Sequence, residues 1–269
     1  ICFFIYDKPI GCSYLLLIHL LSFISAYLYR RKFILFMYER YCNTASLVPK
    51  NIAKHIATTD GNIELDKIFK PTNRFTVCLS SDWRNFQKMV SSKDPEYVEM
   101  LFQKFYNEVF MELDSIFPHG NYYADWTADE LFIIFFNDEN ENNETLINKA
   151  LEFSYTYAVN IFNKIEKTIG VKLMYDIGVS AGIGLLGLQG PEKLKKTTIT
   201  GESAGTAKRL ETEAKHIRSS KNHKYPILLI DKHLYKYAKK INFFTEDFEE
   251  IIAITKDIKD NTFFMWTKK

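Results

Sequence analysis

The stretch RFTVCLSSDWRNF, Arg74 to Phe86, decides how the chain is read. Its apolar run has the density of a buried strand and stops on a carboxylate, Asp82, just before WRNF opens a helix. A second stretch, YYADWTADELFIIFF (Tyr122–Phe136), reads as two strands around a tight polar turn that carries Asp129. Two aspartates at strand ends make a site for a divalent cation and a polyphosphate. The carboxylates take the metal, while backbone N–H groups of Trp83, Arg84, Asn85 and Phe86 at a helix start take phosphate oxygens.

Outward from these stretches, strand and helix patterns alternate. Tyr97–Phe117 is apolar at helical spacing, and Thr145–Ile165 is a second long helix. Val171–Leu185 is a long strand ending in a glycine-rich bend, followed by a helix over Gly201–Ala214 and strands at Ile227–Ile230, Ile251–Thr255 and Thr262–Trp266. The pattern predicts an α+β fold of the ferredoxin-like, palm type, an antiparallel sheet with helices packed on one face.

Composition sets the limits. The 269 residues carry 35 Lys+Arg against 33 Asp+Glu, a net charge of +2, with 46% hydrophobic residues. Such a chain buries a core, and its near-neutral charge argues against a nucleic-acid partner. Cys2, Cys12, Cys42 and Cys78 show no CxxC spacing, so neither a disulfide framework nor a zinc site is supported. Residues 10–29, IGCSYLLLIHLLSFISAYLY, lack any charge and are followed by Arg30, Arg31 and Lys32. That pattern predicts a transmembrane helix, a single-pass protein of the inner (plasma) membrane and a cytoplasmic domain after it. The expected organisation is a membrane anchor over 1–32, a connector helix and linker over 33–75, and a catalytic domain over 76–269.

With these pieces in place, the chain resembles the class III nucleotidyl (adenylate/guanylate) cyclase catalytic domain. Ser46–Ile56 looks like the short helix before that domain, and VCLSSDWRNF like the first metal motif, D-[IL]-x-[GN]-F, with Trp83 in place of the usual Ile or Leu. TADELFIIFF resembles the second, with Ala128 where the family has Gly, and Asp176–Gly190 resembles the long central strand. Lys195–Glu211 resembles Y-T-x-x-G-x-x-V-N-x-A-x-R-L-E.

The resemblance implies a homodimer with shared active sites, a nucleoside triphosphate substrate, and two Mg²⁺ or Mn²⁺ ions per site on Asp82 and Asp129. In that reaction the ribose 3′-oxygen attacks the α-phosphorus and pyrophosphate leaves. The resemblance also makes Arg209 the catalytic group at the transition state, and Lys256 a triphosphate lysine, although Asp257 follows it where the family has Gly. Asp125 and Thr198 occupy the base-reading positions, and Gly205 replaces the transition-state asparagine. Asp125 accepts, and Thr198 donates or accepts, so adenine, guanine, cytosine and uracil all stay open. ATP is the default substrate, and a pyrimidine cyclase of antiphage signalling is the other cyclase option. Gly205 and Ala128 also admit a silent cyclase-like module that binds nucleotide or dimerises, and ADELFIIF admits a diguanylate-cyclase relative.

Overall fold

The computed structural model describes residues 9–45, 70–137, 142–191, 195–221, 223–244, 247–252 and 262–267. The chain divides into two units, Ile1–Thr59 and Asp60–Lys269.

In the first unit, Pro9–Ala45 forms one helix, α1, and the side chains described on it are exposed. The expected membrane crossing is overturned here: among the described residues, no helix is long and apolar enough to span a bilayer. The uncharged stretch up to Tyr29 is diluted by polar and amphipathic side chains, Tyr14, Ser22, Ser25, Tyr27 and Tyr29 among them. His19 interrupts it, and Arg30, Arg31 and Lys32 close it. The single-pass placement in the inner membrane, and the topology drawn from it, fall with the crossing. Ser46–Ile56, expected as a short helix, lies outside the described residues.

The second unit is built on one sheet. Its strands are β1 (Thr72–Trp83), β2 (Tyr122–Thr127), β3 (Glu130–Phe136), β4 (Tyr175–Gln189), β5 (Lys196–Gly201), β6 (Ile227–Asp231), β7 (Glu249–Ile252) and β8 (Thr262–Thr267). They lie in the order β2-β3-β1-β4-β6-β8-β7, with β5 paired to the outer half of β4. The helices are α2 (Phe86–Ser91), α3 (Pro95–Ile116), α4 (Asn143–Thr156), α5 (Phe162–Ile169), α6 (Glu202–Lys221) and α7 (Lys232–Ala238). A π-helical turn, Tyr157–Ile161, joins α4 to α5.

The α+β expectation is met, with two corrections. First, β4 and β6 are parallel while the other pairs are antiparallel. A parallel pair needs a long crossover, and α6 supplies it. Second, the helices are not confined to one face. Helices α3, α4, α5 and α7 cover the face that holds Val77, Leu79, Ile133, Phe135, Ile177, Val179 and Trp266. Helix α6 covers the other, packing Leu210, Ala214 and Ile217 against Ile227, Leu229, Phe263 and Met265.

Side chains alternate across a strand, so β1 offers Val77 and Leu79 to the large core and Thr76, Cys78, Ser80 and Asp82 to α6. The α6 face is lined with small residues because the helix lies close to the sheet. A Cβ on Gly178 would meet the carbonyl oxygen of Ala207 at 2.1 Å and the backbone nitrogen of Glu211 at 2.4 Å. Ser203 binds the Thr76 hydroxyl at 3.1 Å and receives the Cys78 thiol. Burial pushes that thiol up to about 11, which leaves Cys78 a packing residue rather than a nucleophile.

Candidate active site

The face under α6 carries a row of acids. Asp82 pairs directly with Glu130 of β3 on one side and with Asp176 of β4 on the other. Directly opposed like charges destabilise a sheet, and basic groups answer each member of the row. Lys208 reaches Glu130 at 2.6 Å, and Lys215 reaches Asp82 at 2.5 Å. Asp176, fully buried, lies 2.7 Å from Arg218 and 2.8 Å from Arg84. Three of these four cations come from one helix, α6.

Strand β1 continues through Asp82 to Trp83, which was expected to open a helix. Trp83 prolongs it because its indole is buried, stacked on Phe102 and edge-on to Phe105. This corrects part of the expected phosphate cradle. The Trp83 N–H donates to the Asp129 carbonyl at 3.3 Å, and the Arg84 N–H to that of Met174 at 2.7 Å. Only the N–H groups of Asn85 and Phe86, at the start of the six-residue α2, remain for that role.

The Trp83–Asp129 hydrogen bond ties the end of β1 to the β2–β3 turn and brings the two aspartates together. Burial holds the Asp129 carboxyl above its ordinary value, and the Asp82 carboxylate and a hydrogen bond to it add to the rise. Lys215 opposes the shift. Two carboxylates crowded in this way, with one ammonium on Asp82, fit a divalent cation.

A folded carboxyl held above its unfolded value contributes stability at acid pH that is lost as pH rises through the folded value. Asp129→Asn is therefore expected to melt above wild type at neutral pH, with the gap closing as pH falls into the carboxylate range. Thermal denaturation at a series of pH values checks it.

The turn itself is strained. Ala128, at the place where Gly was expected, has φ of 54°, and the Tyr106 hydroxyl donates to its carbonyl. A left-handed conformation costs an L residue about 1–2 kcal/mol, of which Gly returns part as unfolded-state entropy. Ala128→Gly is expected to raise stability by about 0.5–1 kcal/mol, read from a urea midpoint.

The remaining expected residues are placed as follows. Asp125 sits on β2, paired with Phe132, on the same face as Ser80. It forms an ion pair with Lys196 of β5, and Thr198 follows two residues later on the same side of that strand. The structure thus brings β5 to Asp125 through Lys196, a residue that the sequence reading passed over. Arg209 lies about a third of a turn around α6 from Lys208 and Lys215, and Gly205, four residues before it, about a fifth of a turn. Lys215 meets Asp82, and Arg209 leaves the helix in a different direction. A Cβ on Gly205 would meet nothing within 4 Å. Lys256 lies outside the described residues.

Neither a family model nor a curated relative matches the sequence. Solved structures match the fold. A bacterial light-regulated adenylyl cyclase superposes with a TM-score of 0.65 at 13% identity, over 88% of this chain and 63% of its own. The adenylyl cyclase CyaB from P. aeruginosa gives 0.59 at 15% identity, over 74% of this chain and 96% of its own. The catalytic core of a rhodopsin-guanylyl cyclase with converted specificity, solved with ATPalphaS, gives 0.53 at 17% identity, over 74% and 97%. The domain that joins Asp82 to Asp129 thus has the fold of the adenylyl and guanylyl cyclase catalytic domains.

Proposed function

We propose that this chain is a nucleotidyl cyclase that converts a nucleoside triphosphate to a 3′,5′-cyclic nucleotide and pyrophosphate. The observation that carries the proposal is the joining of Asp82 and Asp129 at one end of a cyclase-type sheet, with too little positive charge to neutralise both. Mg²⁺ or Mn²⁺ held on these carboxylates would supply Lewis acidity at the ribose hydroxyl and the triphosphate. The chain's own groups do the rest. Arg209 offers a planar fork to the α-phosphate from a different side of α6 than Lys215, and in this reading the working unit is a homodimer in which a second copy brings it to Asp82. Asp125 accepts an N–H of the base while Lys196 and Thr198 donate to a neighbouring acceptor. An acceptor beside a donor is the edge that a Watson–Crick face requires.

Incubation of the purified chain with Mn²⁺ and each of ATP, GTP, CTP and UTP, followed by mass spectrometry, tests the proposal and identifies the base. One cyclic nucleotide is expected to dominate. Cyclic CMP or cyclic UMP would favour the antiphage option, and cyclic AMP the default. No product from any of the four overturns the cyclase reading. Nucleotide binding without turnover would then favour the silent module, for which the bare flank at Gly205 is the supporting feature.

A further inference from the structure

Lys215 occupies the ground that a cation would need at Asp82. Its ammonium lies 2.5 Å from the Asp82 carboxylate and 2.6 Å from Glu211, four residues back on α6. This is no solvent-exposed pair: Asp82 and Lys215 side chains are 20% and 27% exposed, and Glu211 is fully buried. Glu211 has further partners, Lys208 at 2.7 Å and the Ser80 hydroxyl at 3.4 Å. Lys208 in turn holds Glu130 at 2.6 Å. Lys215 can therefore release Asp82 and still keep a buried counter-charge, while Asp82 has its acidic neighbours Glu130 and Asp176 on both adjacent strands.

The geometry points to Lys215 as a built-in counter-ion that holds Asp82 in place and competes with a divalent cation for it, thereby setting the metal affinity of the Asp82–Asp129 pair. The inference rests on the reading that these aspartates bind the metal. An ammonium and a divalent ion seek the same carboxylate lone pairs and repel each other at short range. The lysine thus keeps two repelling carboxylates assembled, and metal affinity is lower as a result. It is a positioning residue: it acts on the reaction only through Asp82.

Titration of the full chain with Mn²⁺ alone, followed by calorimetry or by the electron paramagnetic resonance of free Mn²⁺, tests this without any turnover. Lys215→Met is expected to bind Mn²⁺ about tenfold more tightly than wild type, and Lys215→Arg, which keeps the charge, within about twofold of it. Loss of Lys215 leaves Glu211 with one lysine, so the same comparison is made between Glu211→Gln and the Glu211→Gln/Lys215→Met double variant, where the tightening should recur. Unchanged or weaker Mn²⁺ binding on removal of Lys215 in both backgrounds overturns the inference. If Asp82→Asn nevertheless loses Mn²⁺, the metal site stands and the lysine's role alone falls. No Mn²⁺ binding by any form, Lys215→Met included, removes the metal reading together with the inference.

Discussion

Asp82→Ala is expected to lower cyclic-nucleotide formation by at least about 10³-fold, some 4 kcal/mol of transition-state stabilisation, while the protein stays folded. The side chain is partly exposed and fills no core volume, and the backbone of β1 keeps its pairs with β3 and β4. Its removal also relieves Asp129 of an adjacent like charge, and Lys215 retains Glu211. Stability should therefore hold while activity disappears, the opposite of what a structural carboxylate would do. Mass-spectrometric product counts beside a circular-dichroism melt separate the two quantities. Asp82→Asn, which keeps the shape and loses the charge, should be as inactive. Activity within tenfold of wild type in either variant would take metal binding away from this residue.

The second large effect is structural. Arg218→Met is expected to destabilise the domain by about 3–5 kcal/mol, because it strips a buried carboxylate of one of its two cations. The guanidinium donates to Asp176 at 2.7 Å and, with its other nitrogens, to the carbonyls of Tyr175, His223 and Tyr225 at 3.1, 2.8 and 2.8 Å. Those bonds fasten the last turn of α6 to the start of β4 and to the turn before β6. Arg84 stays on Asp176 but is itself partly exposed and reaches none of those carbonyls in this arrangement; it donates instead to Lys215 O and the Ser219 hydroxyl. Arg218→Lys should recover little, since one ammonium cannot serve four acceptors spread over a planar fork. Urea denaturation of the two variants measures it, and a loss below about 1 kcal/mol would contradict the argument. An Asp176→Asn/Arg218→Met double variant should regain part of the loss, because the orphaned charge is gone.

Much of this architecture was legible because apolar runs ended on polar residues. The stretches around Asp82 and Asp129 read as strands, and the structure has them as neighbours. The second helical face was not legible. Helix α6 meets the sheet through Ser203, Ala207 and Ala214 over Gly178, and close approach uses small residues that leave no strong apolar stripe. The parallel pairing of β4 and β6 did have a signal, a strand, a long helix and another strand in sequence, but it was read as part of an antiparallel sheet.

At the site, the two aspartates stood out by type and position. Lys208, Glu211 and Lys215 did not, because charges spaced along a helix ordinarily mark a solvated face. Only the fold shows Glu211 buried and both lysines committed to it. Lys196 was hidden for a similar reason: its partner Asp125 lies 71 positions away along the chain.

The different directions in which Lys215 and Arg209 leave α6 have a consequence for mixtures. If each active site takes Asp82 from one chain and Arg209 from another, no single copy owns a complete reaction centre. Asp82→Ala and Arg209→Ala proteins, each inactive alone, should regain activity when combined. A mixed dimer contains one site carrying both lesions and one carrying neither. Equal amounts pairing at random make half of the dimers mixed, each with one intact site of two, so the mixture should approach a quarter of wild-type turnover. The two faces of a single helix would then act as a lock that opens only when two molecules meet.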